Sequence, residues 1–480
     1  MARIPEGVIF SASGTRGIVG EGLTPEFLVQ LGMAYGTWIR EKIGGGDPSI
    51  IIGRDTRPSG PMIHSGMVHA LLATGCNVWN AGICATPAIL HARMHSTTQF
   101  NGAIIISASH NPAMYNGLKF LSPHPPGTFL GSDELDEMKT CILEPSHFYS
   151  ARWDQPKKVR EHDALNPYLD AILSFIKPRL TRKPEFKIAV DTGAGAGNTS
   201  TIPLLEKLGC DVIKVNSELL DNPPFFPRDS EPIAKNLGLL SRTVFSENAH
   251  LGIALDCDAD RISLCDENGM ILREDVSLAL IMNNIGAISG RQKPLVIVTN
   301  VASSLVFEDI ATATGGEVIR TPVGERYLAI KLHQLVETQA TATGKMIIGG
   351  EGSCGGVILP RINLARDATV AAACIVAILE LRGKALSTLA SELNSYHLEK
   401  VMVDLGDANP RDVMDALAST HEKSTFKRIL NDLRFSGDGW WVLIHPSNTE
   451  PVIRILVESR DPSHAKELLK RHERHVRNAL

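Results

Sequence analysis

The sequence predicts an α/β protein built from several domains. Short apolar strands alternate with helical segments over most of the chain, a pattern typical of α/β layers with largely parallel sheets. At roughly 150 residues per domain, the 480 residues correspond to three domains or to four compact ones. After Arg382-Gly383-Lys384 the pattern changes to that of a smaller α+β domain. The alternating part is compatible with three distant copies of one unit.

The first α/β domain is predicted over residues 1–157. Thr24 and Pro25 are typical of a helix start, because threonine caps the free backbone amides and proline fits the first helical turn. An apolar strand at 50–52, a helix over 60–74 and a second strand at 103–106 follow. These elements make one complete α/β unit.

Three further domains follow in the same way, over residues 158–267, 268–384 and 385–480. The second begins with an apolar segment at 168–175 and has strands at 188–190 and 252–255. The third has helices over 275–285 and 368–381 and strands at 295–298 and 346–348. The last has a short helix, a helix after Asn409-Pro410, a terminal helix from Ser463, and strands at 401–405, 440–444 and 453–457.

The overall composition argues against several classes of partner. With 48 Lys+Arg against 53 Asp+Glu, the formal charge of −5 gives no general attraction for nucleic acids or anionic membranes. The longest apolar run, residues 368–379, is shorter than the ~20 residues that span a bilayer. The eight cysteines form no C-x-x-C pair, and the first residues do not resemble a secretory signal. We therefore expect a cytoplasmic protein with no nucleic-acid or membrane partner.

Polar loops follow an apolar strand at four places along the chain. Ligands of open α/β sheets bind at the carboxyl ends of strands. With one such loop in each domain, the sequence predicts four domains that face one central cleft. The four loops are residues 107–112, 256–261, 350–353 and 446–451.

The second of these loops carries three alternating carboxylates, Asp256, Asp258 and Asp260. In an extended segment, residues two apart point to the same side, so the three side chains would converge. Because unpaired carboxylates repel one another, a hard divalent cation such as Mg²⁺ would stabilise them. The alternative is an acidic turn in contact with solvent.

The other loops leave two interpretations open. Ser109 beside His110 offers a hydroxyl nucleophile, or a loop in which both side chains only stabilise the turn. Arg54 and Arg57 could bind phosphate or buried backbone carbonyls. The loop at 446–451, with Arg454 beyond it, suits a phosphate monoester or an ordinary hydrogen-bonded turn.

Taken together and in this order, the motifs resemble the α-D-phosphohexomutase superfamily, which comprises phosphoglucomutases, phosphomannomutases and phosphoglucosamine mutases. The resemblance covers almost the whole chain and is greatest for the archaeal-type branch. It implies three domains with a shared mixed-sheet α/β core and a C-terminal phosphate-binding α+β domain. The matching segments are Ser13-Gly14-Thr15-Arg16-Gly17, 53–57, 109–112, 115–119, 256–261, 321–324, 350–353 and 447–451.

The resemblance also implies roles for individual residues. Ser109 would carry a phosphoryl group, and Mg²⁺ would be held by Ser109 and the three aspartates. His110 and Lys119 would exchange protons, and the permanently charged Arg16 would stabilise the transition state. The implied substrate-binding residues are Arg261, Glu351, Ser353, Ser447, Asn448, Thr449 and Arg454.

The implied reaction interconverts hexose 1-phosphate and 6-phosphate. The phosphoserine donates to a hexose monophosphate, and the resulting hexose 1,6-bisphosphate returns its other phosphate to Ser109. Glucosamine phosphate is the expected substrate, with mannose and glucose phosphates as alternatives and a monomer or homodimer as the expected state. A metal-dependent sugar phosphatase that uses the same Ser109 and aspartates is a further alternative. Two departures from the family, Gly355 in place of histidine and His445 in place of arginine, also leave open a non-catalytic sugar-phosphate-binding protein.

Overall fold

A computed structural model describes most of the chain in four sheets of seven, four, four and five strands. The first three sheets are mixed, and the fourth is antiparallel. This confirms the predicted fold class of four domains. The described residues are 3–11, 14–180, 182–290, 294–339, 344–352, 355–420, 422, 424–447 and 451–480.

The first domain is built on the seven-stranded sheet, in the order β1-β2-β6-β5-β3-β4-β7. The hydroxyl of Thr24 accepts a hydrogen bond from the Phe27 amide at 3.3 Å, as expected for the predicted helix cap. The elements are β1 (Ile9–Ser11), β2 (Gly14–Ile18), α1 (Pro25–Lys42), β3 (Ser49–Arg54), α2 (Gly60–Ala73), β4 (Asn77–Ile83), α3 (Thr86–His95), β5 (Gly102–Ile106), β6 (Tyr115–Phe120), α4 (Ser132–Leu143) and β7 (Val159–Glu161).

The second and third domains each contain a four-stranded sheet. The second comprises α5 (Leu165–Ile176), β8 (Lys187–Asp191), α6 (Thr201–Leu208), β9 (Asp211–Val215), α7 (Gly238–Ser246), β10 (Leu251–Leu255) and β11 (Ile262–Cys265). The third comprises α8 (Glu274–Ser289), β12 (Leu295–Asn300), α9 (Val306–Ala313), β13 (Glu317–Thr321), α10 (Glu325–Gln339), β14 (Met346–Gly350), β15 (Val357–Ile358), α11 (Ala368–Arg382) and α12 (Leu386–Ser391). The sequence analysis placed the short helix α12 in the fourth domain, but its Leu386 and Leu389 pack in the core of the first three domains.

The three sheets share one connectivity. The orders β6-β5-β3-β4, β11-β10-β8-β9 and β15-β14-β12-β13 are the same when each sheet's strands are numbered along the chain. The same turn also recurs at the end of the first parallel strand of each sheet. There a side-chain oxygen of Asp55, Asp191 or Asn300 accepts a hydrogen bond from the backbone amide two residues later. These features support three copies of one unit.

One apolar core runs through the first three domains. It includes Ile51 of β3, Ile172 of α5 and Leu278 of α8. The apolar run at 368–379 forms most of α11 and is buried on all sides, which explains its composition. None of the helices in the described part of the chain is long and apolar enough to cross a membrane.

The fourth domain has a separate core and an antiparallel sheet in the order β16-β20-β19-β18-β17. The sequence predicted three of these strands, and β17 and β18 are additional. The elements are β16 (His397–Asp404), α13 (Pro410–Ser419), β17 (Phe426–Ile429), β18 (Asp432–Gly437), β19 (Trp440–Pro446), β20 (Val452–Ser459) and α14 (Pro462–Asn478).

Candidate active site

The polar loops of the four domains meet around one cleft with a volume of about 340 Å³. Its walls therefore include residues that are hundreds of positions apart in the chain. The predicted residues Ser353, Asn448 and Thr449 lie outside the described residues. The predicted residues that line the cleft are Arg16, Ser109, His110, Lys119, Arg261, Glu351, Ser447 and Arg454.

Ser109 lies at the junction of the first two domains. Its hydroxyl donates to Asp256 Oδ2 at 2.7 Å, so the serine loop and the acidic loop are in direct contact. The Ser109 backbone has a φ of 49°, in the left-handed region that costs a non-glycine residue about 1–3 kcal/mol. Its amide donates to Ser107 Oγ at 2.8 Å, and His110 Nδ1 lies 3.4 Å from its hydroxyl.

The three aspartates converge, but not through an extended segment as the sequence analysis expected. The loop turns sharply, with Ala259 at a φ of 57° and its amide bonded to the Asp256 carbonyl at 3.2 Å. Oxygen atoms of Asp256, Asp258 and Asp260 lie within 4.8 Å of one another, and all three side chains are fully buried. The turn places the carboxylates closer together than extended backbone would.

One oxygen of each aspartate accepts hydrogen bonds from two donors of the protein. Asp256 Oδ1 accepts from the amides of Asp260 and Arg261, both at 3.1 Å. Asp258 Oδ2 accepts from Lys119 Nζ and from the Thr86 hydroxyl, both at 2.5 Å. Asp260 Oδ2 accepts from Arg366 Nη2 at 3.1 Å and from Lys119 Nζ at 3.3 Å. Donors from the first and third domains thus orient carboxylates of the second.

The remaining oxygens fit a divalent cation. Among the described residues, Asp258 Oδ1 and Asp260 Oδ1 are buried without a hydrogen-bond partner. The third remaining oxygen, Asp256 Oδ2, faces the Ser109 hydroxyl. Three carboxylate oxygens beside a serine are the hard ligands that Mg²⁺ prefers, and their second oxygens are already held in place.

Charges around the trio are strongly coupled. Burial raises the pKa of Asp256 well above its ordinary value, and the neighbouring carboxylates add to this shift. Burial would also raise the pKa of Asp258, but the Lys119 ammonium outweighs it and lowers that pKa. In turn, Asp258 and Asp260 overcome the burial of Lys119 and raise its pKa, which favours a permanently charged side chain over the proton exchange that the resemblance implied for it. Burial, together with the charges of Arg261 and Arg16, lowers the pKa of His110 to about 3.

Basic side chains from three domains complete the cleft. Arg16 Nη1 donates to Asn111 Oδ1 at 2.7 Å, and Arg261 Nη1 lies 3.3 Å from Glu231 Oε1. In the fourth domain, His445 on β19 and Arg454 on β20 are paired across the sheet. The cleft is therefore lined by basic side chains of the first, second and fourth domains, which suits an anionic ligand.

Comparisons with known proteins agree with this arrangement. Models of the phosphoglucomutase/phosphomannomutase alpha/beta/alpha domains I, II and III match residues 7–146, 166–269 and 273–396, and that of the C-terminal domain matches 414–474. A phosphoglucomutase/phosphomannomutase of Thermococcus kodakarensis is 35% identical over 464 residues, 96% of this chain and 97% of its own. The chain belongs to the phosphoglucomutase/phosphomannomutase family. The resemblance inferred from the motifs is confirmed.

A second relative supports the family, and a solved structure supports the fold. A probable phosphoglucosamine mutase of Thermococcus kodakarensis is 33% identical over 478 residues, 99% of either chain. The crystal structure of a phosphoglucomutase/phosphomannomutase family protein from Burkholderia thailandensis superposes with a TM-score of 0.82 at 22% identity, covering 98% of either chain. At 22% identity, the similarity to the Burkholderia thailandensis structure supports the fold alone.

Sequence reasoning missed several residues of this phosphohexomutase site. Arg366 joins three carboxylates, because its guanidinium lies 3.0 Å from Glu351, 3.1 Å from Asp260 and 3.2 Å from Glu325. Glu325 begins α10 directly after the predicted motif at 321–324. Burial raises the pKa of Glu325 to about 7. Glu325 could have been predicted as a site residue because it directly follows a recognised motif. No motif in the sequence around Arg366 indicates that it belongs to the site.

The two family departures also have structural explanations. Gly355 has a φ of 68°, and a Cβ there would lie 2.3 Å from the Ile262 carbonyl oxygen, so this loop path excludes a histidine. His445 Nδ1 lies 2.7 Å from Asp432 Oδ1, which orients its ring beside the cleft. Of the two arginines left open above, Arg57 is wholly buried and contacts backbone carbonyls, so it is structural and does not face the cleft.

Proposed function

We propose that the chain is a phosphohexomutase that interconverts hexose 1-phosphate and 6-phosphate through a phosphoserine at Ser109 and a hexose 1,6-bisphosphate intermediate. The observation that carries this proposal is the 2.7 Å contact between Ser109 Oγ and Asp256 Oδ2 beside two other buried carboxylates. A hydroxyl in that position reaches both a cation site and the cleft. The chain's membership of the family supports the same reaction.

The acidic trio and Ser109 would hold the metal ion, which we propose to be Mg²⁺. The ligand atoms would be Asp256 Oδ2, Asp258 Oδ1 and Asp260 Oδ1 with an oxygen on Ser109. When bound, the ion supplies positive charge to a phosphoryl group on Ser109 and makes its phosphorus more electrophilic. Lys119 neutralises the other oxygens of Asp258 and Asp260, which keeps the site from carrying an uncompensated negative charge.

In the first transfer, a sugar hydroxyl attacks the phosphorus on Ser109. The bond from phosphorus to the sugar oxygen forms, and the bond from phosphorus to Oγ breaks. The proton that leaves the sugar hydroxyl is the one that Ser109 Oγ carries afterwards. We propose that His110, whose Nδ1 lies 3.4 Å from Oγ, transfers that proton, and that Lys119 and Arg16 stabilise the charge as it moves.

The second transfer runs in reverse on the other phosphate of the bisphosphate. The intermediate therefore has to present either phosphate to Ser109. We propose that Ser447 and Arg454, together with Asn448 and Thr449, bind the phosphate that is not reacting. Glu351, Ser353 and Arg261 would contact the sugar hydroxyls. The Glu351 carboxylate is oriented for this by hydrogen bonds from Asn300 Nδ2 at 3.1 Å and Arg366 Nη1 at 3.0 Å.

We propose glucosamine phosphate as the preferred sugar, with glucose and mannose phosphates as the alternatives. The relatives carry both kinds of name: one is a probable phosphoglucosamine mutase and another a phosphoglucomutase/phosphomannomutase. We also propose a cytoplasmic monomer or homodimer. Within the described part of the chain seven cysteines are free thiols, as expected in a reducing compartment.

The decisive experiment incubates the protein with Mg²⁺, a trace of hexose 1,6-bisphosphate and each of the three hexose 1-phosphates. We expect 6-phosphate to form, fastest from the glucosamine sugar, and Ser109→Ala to abolish it. Intact-mass analysis should find about 80 Da of phosphate on the wild type and none on Ser109→Ala. Release of inorganic phosphate without isomerisation would favour the phosphatase, and no reaction with any sugar would favour a binding protein.

A further inference from the structure

Arg57 uses every donor of its guanidinium, four of them on the loop that carries Ser109. Nη2 donates to the carbonyls of Ser109 at 2.7 Å and Asn111 at 2.6 Å. Nη1 donates to the carbonyls of Pro112 at 2.7 Å and Tyr115 at 2.9 Å. The fifth donor, Nε, lies 3.2 Å from Asp55 Oδ2. An arginine has five N–H groups in a rigid fork, so none is left over.

The surroundings of Arg57 fix its position. The side chain has no exposure to solvent, and neither has its partner Asp55. Asp55 Oδ1 also accepts from the Arg57 amide at 2.9 Å, and Asp55 Oδ2 accepts from Cys257 Sγ at 3.3 Å. Cys257 belongs to the acidic loop between Asp256 and Asp258. The arginine is therefore tied to both loops whose contact places Ser109 against the metal site.

Ser109 needs such support because its backbone is in the left-handed region, with a φ of 49°. Its carbonyl accepts from Arg57 and also from Ser230 Oγ at 3.1 Å. Ser230 Oγ in turn accepts from the Cys257 amide at 3.0 Å. Without these donors the loop could relax to a commoner conformation, and the Ser109 hydroxyl would turn away from Asp256.

We propose that Arg57 is a positioning residue for phosphoryl transfer, which holds the loop at 109–115 so that the Ser109 side chain faces the acidic trio. The inference rests on the proposed function. It assigns to Arg57 no contact with substrate, because the side chain is buried beneath the loop. The contribution of Arg57 should therefore appear in the rate of transfer and not in sugar binding.

The test compares Arg57→Lys with a matched variant, Arg320→Lys. Arg320 also binds backbone carbonyls, in the third domain, where it donates to those of Asn300, Ser303 and Ser304 at 2.8 to 3.1 Å. Lysine keeps the charge but cannot reach four carbonyls from one nitrogen. Arg57 is wholly buried, and the Arg320 side chain is 12% exposed. Both variants lose a guanidinium that bonds backbone carbonyls, and only Arg57→Lys loses it at Ser109.

The enzyme is first phosphorylated with hexose 1,6-bisphosphate, and the single-turnover transfer from Ser109 to saturating hexose monophosphate is then measured. For Arg57→Lys we expect a rate about 100-fold lower, because a displacement of about 1 Å can cost that much, with KM within threefold of wild type. Its phosphoserine ³¹P resonance should also shift towards that of a flexible phosphoserine. Arg320→Lys should keep the transfer rate within threefold.

A second variant keeps the inference testable if Arg57→Lys does not fold. Ser230→Ala removes one of the two donors to the Ser109 carbonyl and should lower the transfer rate about three- to tenfold. Wild-type transfer rates in folded Arg57→Lys, or an equal loss in Arg320→Lys, would overturn the inference. If the wild-type enzyme converts no hexose phosphate, the proposed function fails instead.

Discussion

Replacing Thr86 by valine should weaken metal binding although Thr86 is not a metal ligand. Thr86 begins α3 in the first domain, and its hydroxyl donates to Asp258 Oδ2 of the second domain at 2.5 Å. Both side chains are fully buried. Valine has nearly the same shape as threonine, so the change removes the hydrogen bond without creating a cavity. The Thr86 amide keeps its 3.0 Å bond to the Asp258 carbonyl.

The size of the effect follows from the partners of Asp258. A hydrogen bond to a buried charged group contributes about 1.5–3 kcal/mol, so the free energy of unfolding should fall by about that amount. Changes to groups that orient a metal ligand usually cost about 10- to 100-fold in affinity. We expect about tenfold, or about 1.4 kcal/mol, because Lys119 still holds the same oxygen.

Calorimetric titration of unphosphorylated enzyme with Mg²⁺ measures this affinity without relying on activity. Thr86→Ser keeps the hydroxyl and should bind Mg²⁺ as the wild type does. Thr201→Val is a matched control, because it removes a buried hydrogen bond, 2.8 Å from Thr369 Oγ1, that involves none of the three aspartates. An Mg²⁺ affinity of folded Thr86→Val within twofold of wild type would refute the reasoning.

Three other substitutions have definite expected outcomes. Burial raises the pKa of Glu458, so the contribution of this group to the protein's stability is greatest below the ordinary glutamate pKa and is lost as pH rises. Glu458→Gln should therefore show a smaller fall in Tm from pH 5 to pH 8 than the wild type. Parallel curves of Tm against pH for the two proteins would contradict this. His445→Arg places a permanent charge in the cleft and should lower KM for hexose phosphate; an unchanged KM would count against it. Gly355→Ala should lower Tm and add no activity, because its Cβ would lie 2.3 Å from the Ile262 carbonyl oxygen; an unchanged Tm would show that the loop can move.

The contact between the serine loop and the acidic loop could be predicted through the family resemblance, which rests on the compact motif that each loop carries at the end of an apolar strand. The contacts that orient the carboxylates could not. Thr86 and Asp258 are 172 positions apart, and Arg366 and Asp260 are 106 apart, so no local spacing connects them. Only the packing of the domains brings these donors to the carboxylates.

Local sequence pattern also failed at three other places. Strands β17 and β18 mix charged and apolar residues, and much of β17 is exposed, so no apolar run marked them. The acidic loop was expected to be extended, but Ala259 adopts a left-handed φ of 57°. Arg57 remained ambiguous because the sequence cannot distinguish a guanidinium that faces a phosphate from one that faces carbonyls.

The division of the cores fits the chemistry proposed for the cleft. One continuous core joins the first three domains, and these supply Ser109, the trio, Lys119 and Arg366. Groups that must keep a fixed distance to transfer a phosphoryl group therefore belong to one packed unit. The fourth domain has its own core and supplies His445 and Arg454. These groups would bind whichever phosphate is not reacting. They therefore do not need a fixed distance to Ser109, and a separately packed domain can supply their charge.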